Sequence, residues 1–341
     1  MQLDDFNYLL PKELIAQSPA DKTTQSKLLL SDNNKIIEFK SLVNNLTDKD
    51  ILVFNNTKVM PVVIKGYLKN KEIKVTILES MGRYIWKAFI KPARKVNQGD
   101  VIDFKEGLSL RVKKKEKSIA TIKFSFNKKE LLSYLSKYGN LPLPPYIKSK
   151  PSRILDEKNY QTIFSKVYGA VASPTAGLHF KSDLLKKLKK RNIKFINITL
   201  HIGLGTFLPL NEEVISENTL HREKGIISVA AANKINNAIS EGKNIVAVGT
   251  TVMRLLEACY QKYGEVRKFN EYTEIFIYPG FKFNVVDKLL TNFHLPKSSL
   301  LILVSAFAGK NKIFKLYKFA IKKKMRFFSF GDAMLVKKNE I

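Results

Sequence analysis

Between Val62 and Phe126 the chain reads as six short β-runs at near-regular spacing: "PVVIKGYL", "EIKVTILESM", "RYIWKAFIK", "DVIDF", "LSLRVKK" and "IATIKFSF". Apolar residues alternate with polar ones inside them, and turn signals at Met81-Gly82, Gln98-Gly99-Asp100 and Glu106-Gly107 separate them. Short strands joined by turns close most readily into a small antiparallel β-barrel. The helical pattern "NKKELLSYLSKYG" and the proline-stiffened connector "NLPLPPYI" follow, so the barrel is expected to occupy 62–149.

The flanking segments have a different texture. "KSDLLKKLKKRN" carries a Ser182/Asp183 cap and leucines at helical spacing, and "IKFINITL" after it reads as a strand. "NKINNAISEG" is a helix stopped by Gly242, "KNIVAVG" a buried strand, and "TTVMRLLEACYQKYG" a helix opened by threonines. Helix and strand in alternation imply parallel pairing. The expected fold is therefore an α/β main domain with a mixed, largely parallel sheet, built from 1–61 and 150–341 and interrupted by the barrel.

Composition narrows the function classes. The chain has 341 residues, 45% of them hydrophobic, which suits a folded two-domain protein. The start "MQLDDFNYLL" is acidic where a secretory signal is basic, and the apolar run "LLILVSAFAG" is too short to span a bilayer, so a cytoplasmic location with no membrane partner is expected. One cysteine and four scattered histidines offer no disulfide and no zinc spacing, so no metal is expected. Against 30 acidic residues stand 59 lysines and arginines, a net charge of +29. Lysine-rich coding bias explains part of that excess, yet in "NKIFKLYKFAIKKKM" Lys312, Lys315, Lys318 and Lys322 fall on one helix face, with Ile313, Leu316, Phe319 and Ala320 behind. An excess of this size favours a polyanionic partner, nucleic acid first.

In an open α/β sheet, ligands gather at the carboxyl ends of the strands. Several unusual loops belong there. "HIGLGTF" offers His201, Gly203, Gly205 and Thr206; "AVGTTVMR" offers Gly249, the free helix-opening amides of Thr250 and Thr251, and Arg254 to hold an anion. Asn55, Asn56 and Thr57 follow another buried strand, where amides can read a base edge or a ribose, or simply make a turn. Pro174, Thr175, Gly177 and His179 share "ASPTAGLHF". All four histidines (179, 201, 221 and 294) lie in loops framed by glycine, threonine or proline, and Glu223 adds a carboxylate close to His221. Imidazoles and a carboxylate converging at one mouth would make an acid/base site. The glycine patterns are not a nucleotide-binding fingerprint.

Taken in order, "DDFNYLLPKELIAQSP", "VFNNTKVMP", "LPLPPYI", "YQTIFSKVYGAVASPTAGLHF", "LHIGLGTFLPL", "HREKG", "VAVGTTVMRLLE", "FIYPGFKF", "LLTNFHLPKSSLLILVSAFAG" and "RFFSFGDAMLV" resemble the S-adenosylmethionine:tRNA ribosyltransferase-isomerase family of queuosine biosynthesis nearly end to end. Lys58 stands where the family usually has arginine, and Val252 where it usually has serine. The resemblance implies a two-domain α/β-plus-barrel fold and transfer of the ribosyl part of S-adenosylmethionine, a consumed cosubstrate, onto 7-aminomethyl-7-deazaguanine at the tRNA wobble position. The ribosyl unit is isomerised to give epoxyqueuosine, with adenine and methionine released. It also implies site residues Tyr278, Pro279, Gly280 and Asn292, tRNA as partner, and a monomer. His201 or Glu223 would remove a proton beside the sulfonium, and His179 or His294 would protonate the leaving adenine. Thr250, Thr251 and Arg254 would hold the methionine carboxylate. Two other readings stay open, a methyl-transferring S-adenosylmethionine enzyme on RNA and a non-catalytic tRNA-binding protein.

Overall fold

The strand Lys71–Ser80 buries Ile73, Val75 and Ile77 while Glu72 and Lys74 stay exposed, the period of two that its sequence carries. Five others behave alike: Val63–Leu68, Ile85–Lys91, Val101–Asp103, Ser109–Glu116 and Ile119–Phe124. The structure, a computed structural model, describes residues 1–20, 26–147, 159–203, 210 and 212–339. Every pairing among the six strands is antiparallel, and they close into a barrel. Closure leaves no free edge for another chain to join. Helix Lys128–Tyr138 follows, opened by Asn127, whose side chain accepts from the Lys129 and Glu130 amides while Glu130 bonds back to the Asn127 amide. Residues 59–143 form this compact unit by themselves.

The other unit holds a nine-stranded sheet. Its order is Phe269–Thr273, Glu223–Ile227, Lys194–His201, Asp50–Asn55, Asn244–Val248, Lys288–Asn292, Ala333–Lys337, Lys27–Leu30, Lys35–Glu38. The third to sixth strands in that order pair in parallel, and antiparallel pairings appear toward both edges. The sheet is thus mixed with a parallel centre, as the alternation of helix and strand implies. Every residue of Asp50–Asn55 is buried, because helices cover both faces. Ile51 and Val53 point into one layer, with Ala232 and Ile235 of helix Val229–Ser240, Val252 and Leu256 of helix Thr250–Tyr263, and helix Ser299–Ala308. Leu52 and Phe54 point into the other, against Leu184 and Leu188 of helix Ser182–Lys190.

One local expectation needs adjusting. Helix Ser182–Lys190 is capped by Lys181 with no side-chain bond; Ser182 and Asp183 form its first turn, where the Asp183 charge favours the helix dipole. The apolar run "LLILVSAFA" is a buried core helix, and no helix among the described residues is long and apolar enough to cross a membrane. In helix Lys310–Lys322, Ile313, Leu316 and Ala320 are buried while Lys315, Lys318 and Lys322 are exposed.

Candidate active site

Parallel strands bring their carboxyl ends to one edge, and here that edge carries Asn55, His201, Gly249 and Asn292. Gly249 adopts φ +96°, a left-handed-region angle that L side chains rarely take, and so turns the chain from strand Asn244–Val248 directly into helix Thr250–Tyr263. The first-turn amides of that helix have no partner within it. A second helix, Ser299–Ala308, starts nearby, with Ser298 accepting from the Leu301 amide. Both helix starts line one open cavity, together with Ser173, Pro174, Thr175, Thr291, Asn292 and His294. The positive ends of two helix dipoles therefore face it.

Arg254 stands one turn into the first of these helices and is 5% exposed. Its Nη1 donates to Oε2 of Glu223 in a buried ion pair, and its Nε points at the Ile275 carbonyl at 3.4 Å. Its Nη2 is buried and finds no partner among the described residues, and Arg254 is one of the residues bordering the cavity; the hydroxyl of Ser173 is in the same state. A buried donor left unmade costs roughly 1–3 kcal/mol, so this guanidinium edge is suited to a ligand's acceptor. Glu223 is held from its other side by the Gly203 amide, 3.1 Å from Oε1.

His201 ends strand Lys194–His201 and is half-buried. Its Nδ1 lies 2.7 Å from the hydroxyl of fully buried Thr57, and its ring lies flat on Gly169. A Cβ at Gly169 would sit 2.7–2.8 Å from three ring atoms, so only glycine allows the ring to occupy that place. Burial lowers the His201 pKa, with the Lys224 charge adding to the effect. The imidazole is therefore neutral at neutral pH.

His179 and His294 are in different surroundings. His179 stacks on Phe39 with centroids 4.7 Å apart, and its Nε2 lies 3.2 Å from the Asn292 amide nitrogen. Burial, then the Arg326 and Lys181 charges, bring its pKa down to about 4. His294 bonds through Nε2 to the Thr291 hydroxyl at 3.0 Å, and burial alone lowers its pKa to about 3. His294 lines the cavity, whereas His179 lines a separate pocket behind Asn292. Both are neutral at neutral pH, so neither stands ready charged to protonate a leaving group. His221 is exposed.

The remaining candidates divide. Pro174, Thr175, Gly249, Thr250, Thr251, Arg254 and Asn292 border the cavity. Asn55 does not reach it: its side chain bonds the Leu200 backbone on both sides, the Thr57 amide and the Thr251 hydroxyl, so it locks the strand end instead of reading a ligand. Asn56 accepts from Thr199 at 2.6 Å, again within the protein. Gly177 is buried with Thr162 against it. Tyr278, Pro279 and Gly280 form an exposed turn away from the cavity lining. Gly205 and Thr206 lie outside the described residues. Missed in the sequence were Ser173, Thr291, Ser298 and Tyr146, all on the cavity wall; Ser173 alone had a signal, its place inside "ASPTAG". Among the described residues no group of three or more His, Cys, Asp or Glu is placed to hold a metal.

Two helix starts and a buried guanidinium bordering one cavity define a class, an α/β protein whose sheet's carboxyl edge suits an anionic small-molecule ligand. The particular family is fixed by comparison. The family described as "Queuosine biosynthesis protein" matches residues 3–336, and the chain belongs to it. It is 44% identical over 344 residues to a protein of Carboxydothermus hydrogenoformans named S-adenosylmethionine:tRNA ribosyltransferase-isomerase, covering 98% of this chain and 100% of the relative. A Rickettsia bellii protein of the same name is 42% identical, covering 98% and 99%. Among solved structures, an S-adenosylmethionine tRNA ribosyltransferase from Thermotoga maritima is 32% identical, with TM-score 0.54 and coverage of 97% and 99%. The chain is thus an enzyme of this family.

Proposed function

We propose that the chain, acting in the cytoplasm, moves the ribosyl part of S-adenosylmethionine onto 7-aminomethyl-7-deazaguanine at the tRNA wobble position. The ribosyl unit is isomerised to the epoxycyclopentanediol of epoxyqueuosine, and adenine and methionine leave. Family membership and the relatives' shared name support the reaction. The observation that carries it in this molecule is buried Arg254, whose Nη2 has no partner among the described residues, bordering a cavity together with two helix N-termini. That arrangement suits the methionine carboxylate, held by Arg254 and the Thr250 and Thr251 amides.

The sulfonium acidifies the adjacent ribose C5′ protons, so a positioned neutral base starts the reaction. Of the two candidates, His201 fits better: it ends a strand at the same sheet edge, although it is not among the residues bordering the cavity, and its ring is not held in an ion pair. Glu223 is already engaged by Arg254 and the Gly203 amide, and its part is to hold the guanidinium in place. With Nδ1–H donating to Thr57, the Nε2 lone pair of His201 is left to take the proton. The resulting imidazolium is the group able to return a proton to adenine, because His179 and His294 stay neutral. Their part is to orient Asn292 and Thr291, His294 also standing on the cavity wall. The +29 charge supplies phosphate affinity, which should fall steeply with salt.

The test is to incubate the protein with S-adenosylmethionine and tRNA bearing the 7-aminomethyl base, then to assay free adenine and digested nucleosides by mass spectrometry. Adenine, methionine and epoxyqueuosine appearing together support the reading. S-adenosylhomocysteine in place of adenine would make the protein a methyltransferase, and intact cosubstrate with bound tRNA would make it a binding protein.

A further inference from the structure

His201, Lys224 and Tyr272 are directly opposed residues on three neighbouring strands, Lys194–His201, Glu223–Ile227 and Phe269–Thr273. Opposed residues project on the same face of a sheet, so the three side chains form one row. At about 4.8 Å per strand, Tyr272 stands roughly 10 Å from His201. The row becomes more exposed along its length: His201 and Lys224 are half-buried, and Tyr272 is 52% exposed. Two cations attend the Tyr272 ring, the Arg222 guanidinium at 5.0 Å and the Lys224 ammonium at 5.1 Å from its centroid. Arg222 is exposed and pairs with Glu274 at 3.1 Å, which is exposed too, a pair of little energetic weight that water or a phosphate can replace.

The opposite flank of His201 repeats the motif. The chain leaving strand Asp50–Asn55 supplies Thr57 to the imidazole and then Lys58, whose ammonium lies 4.5 Å over the ring of Tyr168. Tyr168 is 59% exposed and precedes Gly169, on which the His201 ring rests. A large exposed aromatic has no folding reason to be placed twice, each time with a cation over its ring, on either side of one histidine.

We infer that Tyr272 with Arg222 and Lys224, and Tyr168 with Lys58, are the docking surface for an unpaired RNA loop, stacking nucleotides that flank the one presented to His201. Aromatic faces take bases of any identity by stacking, and the cations follow the backbone between them. The inference rests on the tRNA reading above and adds to it the face that meets the RNA. It also gives the exposed end of the row a purpose that the small-molecule cavity does not need.

The experiment uses the full chain and an anticodon stem-loop RNA bearing the 7-aminomethyl base. Affinity is read by fluorescence anisotropy at fixed salt, alongside adenine release and thermal melting. Tyr272→Ala and Tyr168→Ala should each weaken RNA binding about 5- to 100-fold. Both should raise KM for RNA, leave KM for S-adenosylmethionine and the melting temperature unchanged, and be rescued by Tyr→Phe. Wild-type protein that binds the stem-loop through these tyrosines yet releases no adenine would sink the reaction and leave the docking surface standing. Alanine variants that bind RNA and turn over like wild type would overturn the docking surface and leave the reaction standing.

Discussion

His179 and His294 on one side of the sheet edge, and His201 on the other, sit in loops with the same glycine, threonine and proline framing but in opposite environments. The first two are buried, with a ring nitrogen already spent on Asn292 or Thr291. His201 is half-buried, held at Nδ1 by Thr57 and from below by Gly169, with Nε2 taking no hydrogen bond among the described residues. Loop punctuation marks where the strands end. Burial decides which histidine can exchange a proton with a substrate.

The sharpest way to break this contrast is to remove the two kinds of histidine separately. His201→Ala should lower kcat about 10²- to 10⁴-fold with little change in stability. Gly169→Ala should act in the same direction, since the added methyl takes the place of the ring. If His294→Asn cost as much turnover as His201→Ala while the protein stayed as stable, the division into wall and base would be wrong.

Arg254→Ala comes next. It leaves the Glu223 charge buried without its ion partner, which should cost about 3–5 kcal/mol in urea unfolding. The surviving folded enzyme should show a raised KM for S-adenosylmethionine; an unchanged KM would remove Arg254 from the carboxylate site.

Acid stability separates the two sides in another way. His179 and His294 bind protons more weakly folded than unfolded, so the unfolded chain takes up more protons as pH falls. Their contribution is intact above pH 6.5, the ordinary histidine value, and is lost progressively toward about pH 4 for His179 and about pH 3 for His294. Proton uptake on unfolding at pH 5 should therefore drop by about one proton when either is replaced by asparagine, measured from the slope of stability against pH. The smallest effect is expected at Thr57→Val, a several-fold loss of kcat that Thr57→Ser restores, because the hydroxyl only orients the ring.

The barrel is the part most legible in the sequence, because a half-buried strand writes its period directly: Ile73, Val75 and Ile77 alternate with Glu72 and Lys74. The helices at 182, 229, 250 and 310 are equally readable from the spacing of their apolar residues. Strand order is not. Ala333–Lys337 inserts between Lys288–Asn292 and Lys27–Leu30, a placement set by packing across almost the whole chain. The same limit governs the site. Glycine and threonine at strand ends located Gly249, Thr250 and His201, yet the Arg254–Glu223 pair joins residues 31 apart and the Thr57–His201 bond joins residues 144 apart. Local pattern carries no trace of such pairs. Asn55 shows the reverse case, a polar residue at a strand end whose side chain bonds inside the fold.

The claim that His201 is the base is tested most directly by the pH dependence of kcat/KM for wild-type and His201→Gln protein. Because burial lowers the His201 pKa, wild-type activity should hold down through pH 6.5 and fall only below it, as the imidazole protonates. His201→Gln should lose that acid limb along with most of its rate. An acid limb that persists in the variant, or one centred above pH 6.5 in the wild type, would place the base on another residue.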